Sequence, residues 1–404
     1  MPRPGRDDIT MNGRSPLEVF LVFLKLGCTS FGGPVAHLGY FRDELVVRRR
    51  WLDDASYANL VAVCQFLPGP ASSQVGFVLG MSRAGLLGGL LAWSAFTLPS
   101  ALLLLIFAYT ADAFGGPVGQ SVIHGLKLVA VAVVAHAVWG MARTLCPDRQ
   151  RATIALGAIA LVIYLPTAVG QISAITVGAL AGLWCCRGIT ANTSGHVDIA
   201  LSRRAGTRLL LVFVLLLGGL PILAVIWPSH VLELFEAFYR AGALVFGGGH
   251  VVLPLLEARV VESGWVSPEA FLAGYGAAQA VPGPLFTFAA YLGALDANLG
   301  GVRGAAVALV AVFLPGILLV LGVLPYWDHL RQHRFALPLM AGANSAVVGI
   351  LAAALYSPVW TSAILTPSHF LIGATAFILL AAWGLAPWIV VLVTVLASVL
   401  LGVG

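Results

Sequence analysis

The chain repeats itself. Residues 18 to 33, EVFLVFLKLGCTSFGG, return as residues 233 to 248, ELFEAFYRAGALVFGG, and in each half a Trp and then a Gln-x-x-Pro-Gly-Pro follow at nearly fixed distance. Glu233 follows Glu18 by 215 positions, as Arg240 follows Lys25 and Phe246 follows Phe31; Trp265 and Gln279 follow Trp51 and Gln65 by 214, one deletion later. A duplicated apolar unit broken at matched places is the sequence pattern of membrane carriers, in which interrupted helices of both repeats build a central site.

Composition fixes the solvent. The chain is 59% hydrophobic and 10% charged, against about 25% charged residues in a soluble domain, so most of its surface faces lipid and the fold expected is an all-α polytopic membrane protein. The first fourteen residues are polar and carry Arg3, Arg6 and Arg14. The apolar run after them holds Glu18 and Lys25 and lacks a small-x-small cleavage site, which reads as retained structure and not a signal peptide. Cys28, Cys64, Cys146, Cys185 and Cys186 have neither zinc-ligand spacing nor an even disulfide framework, so no metal and no cofactor are expected. The net charge of +5 does not point to nucleic acid, because the arginines sit at the ends of apolar runs, where topology accounts for them.

Nine stretches have close to the 20 or so apolar residues a spanning helix needs: roughly 84–111, 118–142, 151–166, 169–186, 207–227, 301–325, 336–358, 366–382 and 386–403. Four further apolar segments, 15–47, 55–81, 230–262 and 268–297, are cut near the middle by Phe-Gly-Gly or Pro-Gly-Pro. Proline removes a backbone donor and glycine stabilises a helix poorly, so each should split into two short helices, as a broken span or a re-entrant hairpin. The resulting division is a cytoplasmic tail 1–14, a first repeat 15–200, a linking span 201–229 and a second repeat 230–404.

Charge sets orientation. Arg48, Arg49 and Arg50 flank one end of the first interrupted segments and Arg83 the other, so both first-half hairpins are expected to return to the cytoplasmic side. The 112–120 connection has no Lys or Arg, 143–151 has three, 166–170 has none and 187–208 has four. The unpaired span 207–227 then inverts the second copy. Its loops agree: 326–335 carries Arg331 and Arg334 where its neutral counterpart has none, and 359–367 is neutral where its counterpart is basic. Two inverted-topology repeats are therefore expected.

Helix ends brought to mid-membrane present unpaired N–H groups that suit an anion. Near the breaks lie Thr29, Ser30, Ser72, Ser73 and Gln74 in the first half and Gln279 and Thr287 in the second, with Asn344 a further amide in the 336–358 run. Lys25 and Arg240 are duplicated basic residues and Lys127 stands alone in an apolar span; a cation at depth costs about 2.5–3.5 kcal/mol on insertion scales, which argues for a role in a cationic site. Structural readings stand beside these. Lys25 and Arg240 can pair with acids of neighbouring helices, Pro-Gly-Pro can be a hinge, and Ser72, Ser73 and Thr287 can bond backbone carbonyls one turn back. His37, His124, His136 and His250 are candidate proton relays or simply packed and interfacial residues.

The paired Phe-Gly-Gly segments (Phe31 to Pro34, Phe246 to Gly249), each followed by a Trp and a Gln-x-x-Pro-Gly-Pro (Gln65 to Pro70, Gln279 to Pro284), resemble the chromate ion transporter family in its long, two-domain form, over about residues 15 to 400. The resemblance implies multi-pass residence in the bacterial inner membrane, export of chromate with resulting resistance, and sulfate as the related oxyanion. It places the motif at Phe31, Gly32, Gly33, Pro34, Gln65, Pro68, Gly69 and Pro70, and at Phe246, Gly247, Gly248, Gln279, Pro282, Gly283 and Pro284. The partners expected are the oxyanion and the lipid bilayer, with a homodimer as the assembly left open. The second copy departs in having Gly249 for Pro34, and Glu257, Arg259 and Glu262 where the first has its arginine cluster.

Two other classes are weighed. A membrane-embedded enzyme needs a clustered nucleophile, base or metal set, and the apolar segments hold no H-E-x-x-H, G-x-S-x-G or paired Asp motif. An anion channel is harder to separate from a carrier, since re-entrant helices also build pores.

Overall fold

The computed structural model describes residues 15–110, 116–165, 167–187, 201–246, 249–330, 333 and 335–403. The expectations for the 1–14 tail, for Gly247 and Gly248, for Arg331 and Arg334, and for much of the 112–120 connection fall outside those residues. The described chain is α-helical with short 3-10 and π turns, and no strand occurs among the described residues.

The helices start and stop where the sequence chemistry demands. In the first repeat α1 (Pro16–Thr29) runs into the Phe-Gly-Gly break and α2 (Gly33–Phe41) leaves it, continuing as a π turn over Arg42–Arg48. Gly32 and Gly33 take φ of 101° and 77° there, a left-handed backbone that a Cβ would penalise. α3 (Asp54–Phe66) opens on Asp53, whose carboxylate accepts the Ser56 amide at 2.8 Å, and ends at the Pro-Gly-Pro. α4 (Ala71–Thr110) bends at Ala84 and Gly85, separating a short arm 71–83 from a long one 86–110. α5 (Pro117–Leu145), α6 (Arg149–Tyr164) and α7 (Ala168–Cys185) complete the repeat, and α8 (Arg203–Ile226) links it to the next.

The second copy follows the same order. α9 (His230–Leu244) matches α1, α10 (Val252–Val260) matches α2, and α11 (Pro268–Ala278) matches α3. A 3-10 turn at Leu285–Thr287 and α12 (Phe288–Leu295) match the short arm of α4, and α13 (Gly301–Val323) matches the long one. α14 (Ala336–Ala354), α15 (Pro367–Ala381) and α16 (Pro387–Leu400) match α5, α6 and α7.

Packing repeats as well. α1 lies on the long arm of α4 through Gly27, which touches the Ala95 and Phe96 backbone; α9 lies on α13 through Gly242, against the Val312 carbonyl. The short arm of α4 closes on the long one by Gly80 against Gly88, and α12 closes on α13 by Gly293 against Gly304. A side chain at any of these contacts would hold the helices apart. Between repeats the helices are exchanged: α14 packs on α6 and α7, whereas α5 packs on α15 and α16. Gly342 of α14 meets Gly178 and Gly182 of α7, and its counterpart Gly125 of α5 meets Val395 of α16. Each of the two hydrophobic core clusters draws residues from both repeats.

All nine predicted runs are helical, but they divide into two kinds. Five stretches, 71–110, 118–145, 203–226, 301–326 and 336–363, are long and apolar enough to cross a bilayer. α6, α7, α15 and α16 have 16, 18, 15 and 14 residues; at 1.5 Å per residue they reach about 21 to 27 Å, short of the roughly 30 Å hydrocarbon core. They form two hairpins, and Trp388 at the start of α16 packs against Phe31 of the first break, tilted, at 6.0 Å between ring centroids.

Candidate functional site

The four breaks meet in the middle of the molecule, and they meet across the repeats. The Gly69 amide donates to the carbonyl of Val245 at 2.7 Å, and the Gly283 amide donates to the carbonyl of Ser30 at 2.9 Å. Both glycines have positive φ, 115° and 95°. A Cβ on Gly69 would come within 3.0 Å of Gly316 Cα on α13, and one on Gly283 within 2.9 Å of Ser100 Oγ on α4. Gln74 fastens the same junction by donating its Nε2 to the carbonyls of Pro68 at 3.0 Å and Gly316 at 2.9 Å. Each Pro-Gly-Pro is thus a tight seat for the other repeat's long helix.

Two cavities adjoin the breaks. The larger, about 620 Å³, is lined by Gly32 and Pro34 at the start of α2, Gln65 and Cys64 of α3, Gly69 and Ala71 at the start of α4, Gly249 and His250 before α10, and Asn344 of α14. It runs along α5 from His136 to Thr144 and Leu145. The smaller, about 250 Å³, is bounded by Gly32, Gly33, Gln279, Val133 and the 380–387 end of the α15–α16 hairpin. Gly32, His136 and His250 belong to both. The Gln of the first copy therefore faces one chamber and the Gln of the second copy faces the other.

No Lys, Arg, Asp or Glu lines either cavity among the described residues. What the walls offer is N–H. α2, α4 and the turn into α10 begin there, and a helix's first-turn amides have no intrahelical acceptor and carry about half a positive charge in sum. Gln65, Gln279 and Asn344 add side-chain amides, of which the Gln279 Nε2 donor is buried with no hydrogen-bond partner among the described residues. Such a surface suits an anion through dipoles and not through fixed charge.

Of the residues expected at the site, Gly32, Gly33, Gln65, Gly69, Gln279 and Asn344 reach a cavity wall. Phe31 lies on Trp388 and Phe246 packs on the core. Ser72 sits 3.4 Å from His37 Nδ1, Ser73 is buried, and Thr287 donates its hydroxyl to Pro284 at 2.8 Å. Thr29 bonds back to the Lys25 carbonyl at 2.8 Å on an exposed face. Pro68, Pro70, Pro282 and Pro284 shape the two seats.

The intramembrane cations lie elsewhere. Lys25 donates to Glu44 at 2.9 Å, and Arg48 and Arg49 hold the same buried carboxylate at 2.7 and 2.9 Å. Arg240 pairs with Glu236, which Arg259 also approaches at 3.5 Å. Glu18 serves Arg49 and Arg83 and does not reach Lys25. The cause is the helix face: α1 buries Val19, Val22, Phe23 and Leu26, leaving Lys25 on the outward side. Lys127, half-buried in α5, is not among the lining residues of either cavity.

A chromate transporter family model matches residues 17–183 and again 232–403, one match to each repeat. The chain belongs to the chromate transporter family. It is 30% identical over 345 residues to the chromate transport protein of Pseudomonas aeruginosa, covering 83% of this chain and 79% of that one. It is 28% identical over 366 residues to the chromate transport protein of Cupriavidus metallidurans, covering 90% and 87%, and 28% identical over 361 residues to the probable chromate transport protein of Synechococcus elongatus, covering 82% of each. No solved structure matches it. In this chromate transporter family member, motif residues of the breaks form part of the walls of the two chambers.

Proposed function

We propose that the chain is a secondary carrier that exports chromate across the bacterial inner membrane and so confers chromate resistance. The observation that carries this reading is the central pair of chambers walled by helix N-termini and side-chain amides with no carboxylate among their described lining residues. A tetrahedral oxyanion offers acceptors in every direction and satisfies such a wall without a covalent or metal partner. The names borne by the relatives from Pseudomonas and Cupriavidus supply chromate as the anion.

Direction is argued from the larger chamber, which extends along α5 to Thr144 and Leu145 beside Arg143, Arg149 and Arg151. A basic connection belongs on the cytoplasmic side, so this chamber loads from the cytoplasm. The second chamber, with the exchanged Gln, is the other half of an alternating-access cycle, and this favours a carrier over an open pore. Sulfate, of the same shape and charge, is the competing substrate, and a homodimer is the assembly to be tested by mass measurement in detergent.

The test is uptake of labelled chromate into everted membrane vesicles with and without excess sulfate. Saturable uptake that depends on the protein supports export. Flux that rises without saturation would make the protein a channel, and uptake in right-side-out vesicles alone would reverse the direction.

A further inference from the structure

The larger chamber has far more room than a tetrahedral oxyanion needs. Such an anion has five heavy atoms and fills the space of about three or four waters, on the order of 100 Å³, whereas the chamber holds about 620 Å³. Its walls are also uneven. On α5 the lining residues are His136, Ala137, Gly140, Met141, Thr144 and Leu145, pairs that recur every four residues and so form one straight strip along the helix. From His136 to Thr144 that strip is about 12 Å long at 1.5 Å per residue.

The strip is carbon for most of its length. Ala137, Gly140 and Met141 make up its middle, and Leu38 of α2 and Leu67 at the end of α3 line the same chamber. Gly140 leaves it open, since a Cβ there would have no neighbouring atom within 4 Å. Thr144 donates its hydroxyl back to the carbonyls of Gly140 and Met141 at 3.1 and 3.3 Å. Donors therefore gather at the inner end, where the breaks lie beside Gly32 and His136. They return at the outer end with Asn344, next to the Ser345 whose hydroxyl reaches the Leu145 carbonyl at 3.3 Å.

We infer that the larger chamber also takes organic oxyanions with an apolar tail, of the alkyl- or arylsulfonate class, with the sulfonate on the amides of the breaks and the tail along Ala137, Gly140 and Met141. This rests on the oxyanion reading above and extends it to a second class of ligand. A sulfonate presents three acceptor oxygens on one side and carbon on the other, which matches donors at the breaks and carbon-lined walls beyond them. It also carries a single charge. The cost of taking an ion out of water rises with the square of its charge, so walls that offer dipoles and, among the described lining residues, no Lys or Arg compensate a monoanion more fully than a dianion. Sites for small organic molecules span about 300–1,000 Å³ and are mostly apolar with a few placed polar groups, and this chamber has that make-up.

The experiment binds labelled chromate to the purified full chain in lipid nanodiscs, with protein-free nanodiscs as the blank, and displaces it with methane-, butane- and hexanesulfonate. The expected result is competitive displacement in which affinity rises by up to about fourfold per added methylene, the effect of burying one CH₂. Gly140→Leu places a side chain in the strip and Met141→Gln a polar group. In each, the ratio of hexanesulfonate to methanesulfonate affinity should fall about tenfold, the loss of two buried methylenes; a lower yield of folded protein would not move that ratio. If one variant does not fold, the other and the wild-type series decide. Displacement by all three sulfonates with equal affinity, or by none, would overturn the inference and leave the oxyanion site standing, as would a chain-length dependence unchanged by both substitutions. Failure of wild type to bind chromate would overturn the oxyanion reading and this inference with it.

Discussion

Gly283 and Ser30, 253 positions apart in the chain, are joined by an amide-to-carbonyl bond of 2.9 Å, and exchanging the repeats reproduces it as Gly69 to Val245 at 2.7 Å. Each repeat's second break is therefore fastened to the other repeat's first break. Any movement of one half against the other would act directly on these two bonds.

The first prediction concerns orientation. Five helical passages, α4 (long arm), α5, α6, α7 and α8, separate the first pair of hairpins from the second. The count is odd, and it stays odd if the short α6–α7 hairpin turns back within the membrane. Cysteine-accessibility labelling should find 143–151 and 326–335 inside and 112–120 and 359–367 outside. Labelling of 112–120 and 326–335 from the same side would end the inverted arrangement.

A second prediction separates packing from ligand approach at the Pro-Gly-Pro seats. Gly69→Ala and Gly283→Ala each force a side chain into positive φ, at about 1–2 kcal/mol, and against a neighbour about 3 Å away. Both should lower the melting temperature in detergent. Adding Ser100→Gly to Gly283→Ala removes the Oγ in the way and should return part of the loss, whereas Gly69→Ala meets both the Gly316 backbone and the Gln74 side chain that fastens the junction. Unchanged melting of both single variants would refute the seat.

The breaks, the duplication and the amide-bearing walls were legible in the sequence because glycine and proline act locally and recur at matched offsets. The partners of Lys25 and Arg240 were not. Spacing along one helix offers Glu18 to Lys25, but closure of the α1–α2 hairpin delivers Glu44, and α9 supplies Glu236 one turn before Arg240. Hydropathy likewise marks α15 and α16 as apolar without showing that their hairpin is too short to span. His136 and His250, single histidines in apolar runs, look in sequence like packed ones; only the chambers set them apart.

The third prediction follows from the Glu44 cluster. Lys25→Gln removes a half-exposed cation that does not line a cavity, and chromate affinity should stay within about twofold of wild type, with a stability loss of about 1 kcal/mol because Arg48 and Arg49 still pair the buried Glu44. Glu44→Gln leaves Lys25, Arg48 and Arg49 facing one another around a buried amide, so the yield of folded protein should fall far more. A Lys25→Gln variant with normal yield and sharply weakened chromate binding would return Lys25 to the substrate site.

The last prediction tests the walls. Gln65 and Gln279 occupy matched positions but face different chambers, and Asn344 faces only the larger one. A hydrogen bond to a charged group contributes about 1.5–3 kcal/mol, so replacing a donor by an apolar residue of similar size should weaken the anion by roughly tenfold to a hundredfold in the chamber it serves. Gln65→Leu and Asn344→Leu should therefore raise the half-saturation for chromate on the cytoplasmic side. Gln279→Leu should leave that value near wild type and slow turnover instead, because it acts where the anion departs. Measuring both kinetic constants in everted vesicles separates the two effects. Equal changes of half-saturation in all three variants would mean a single shared pocket, and no change in any would move the anion away from both chambers.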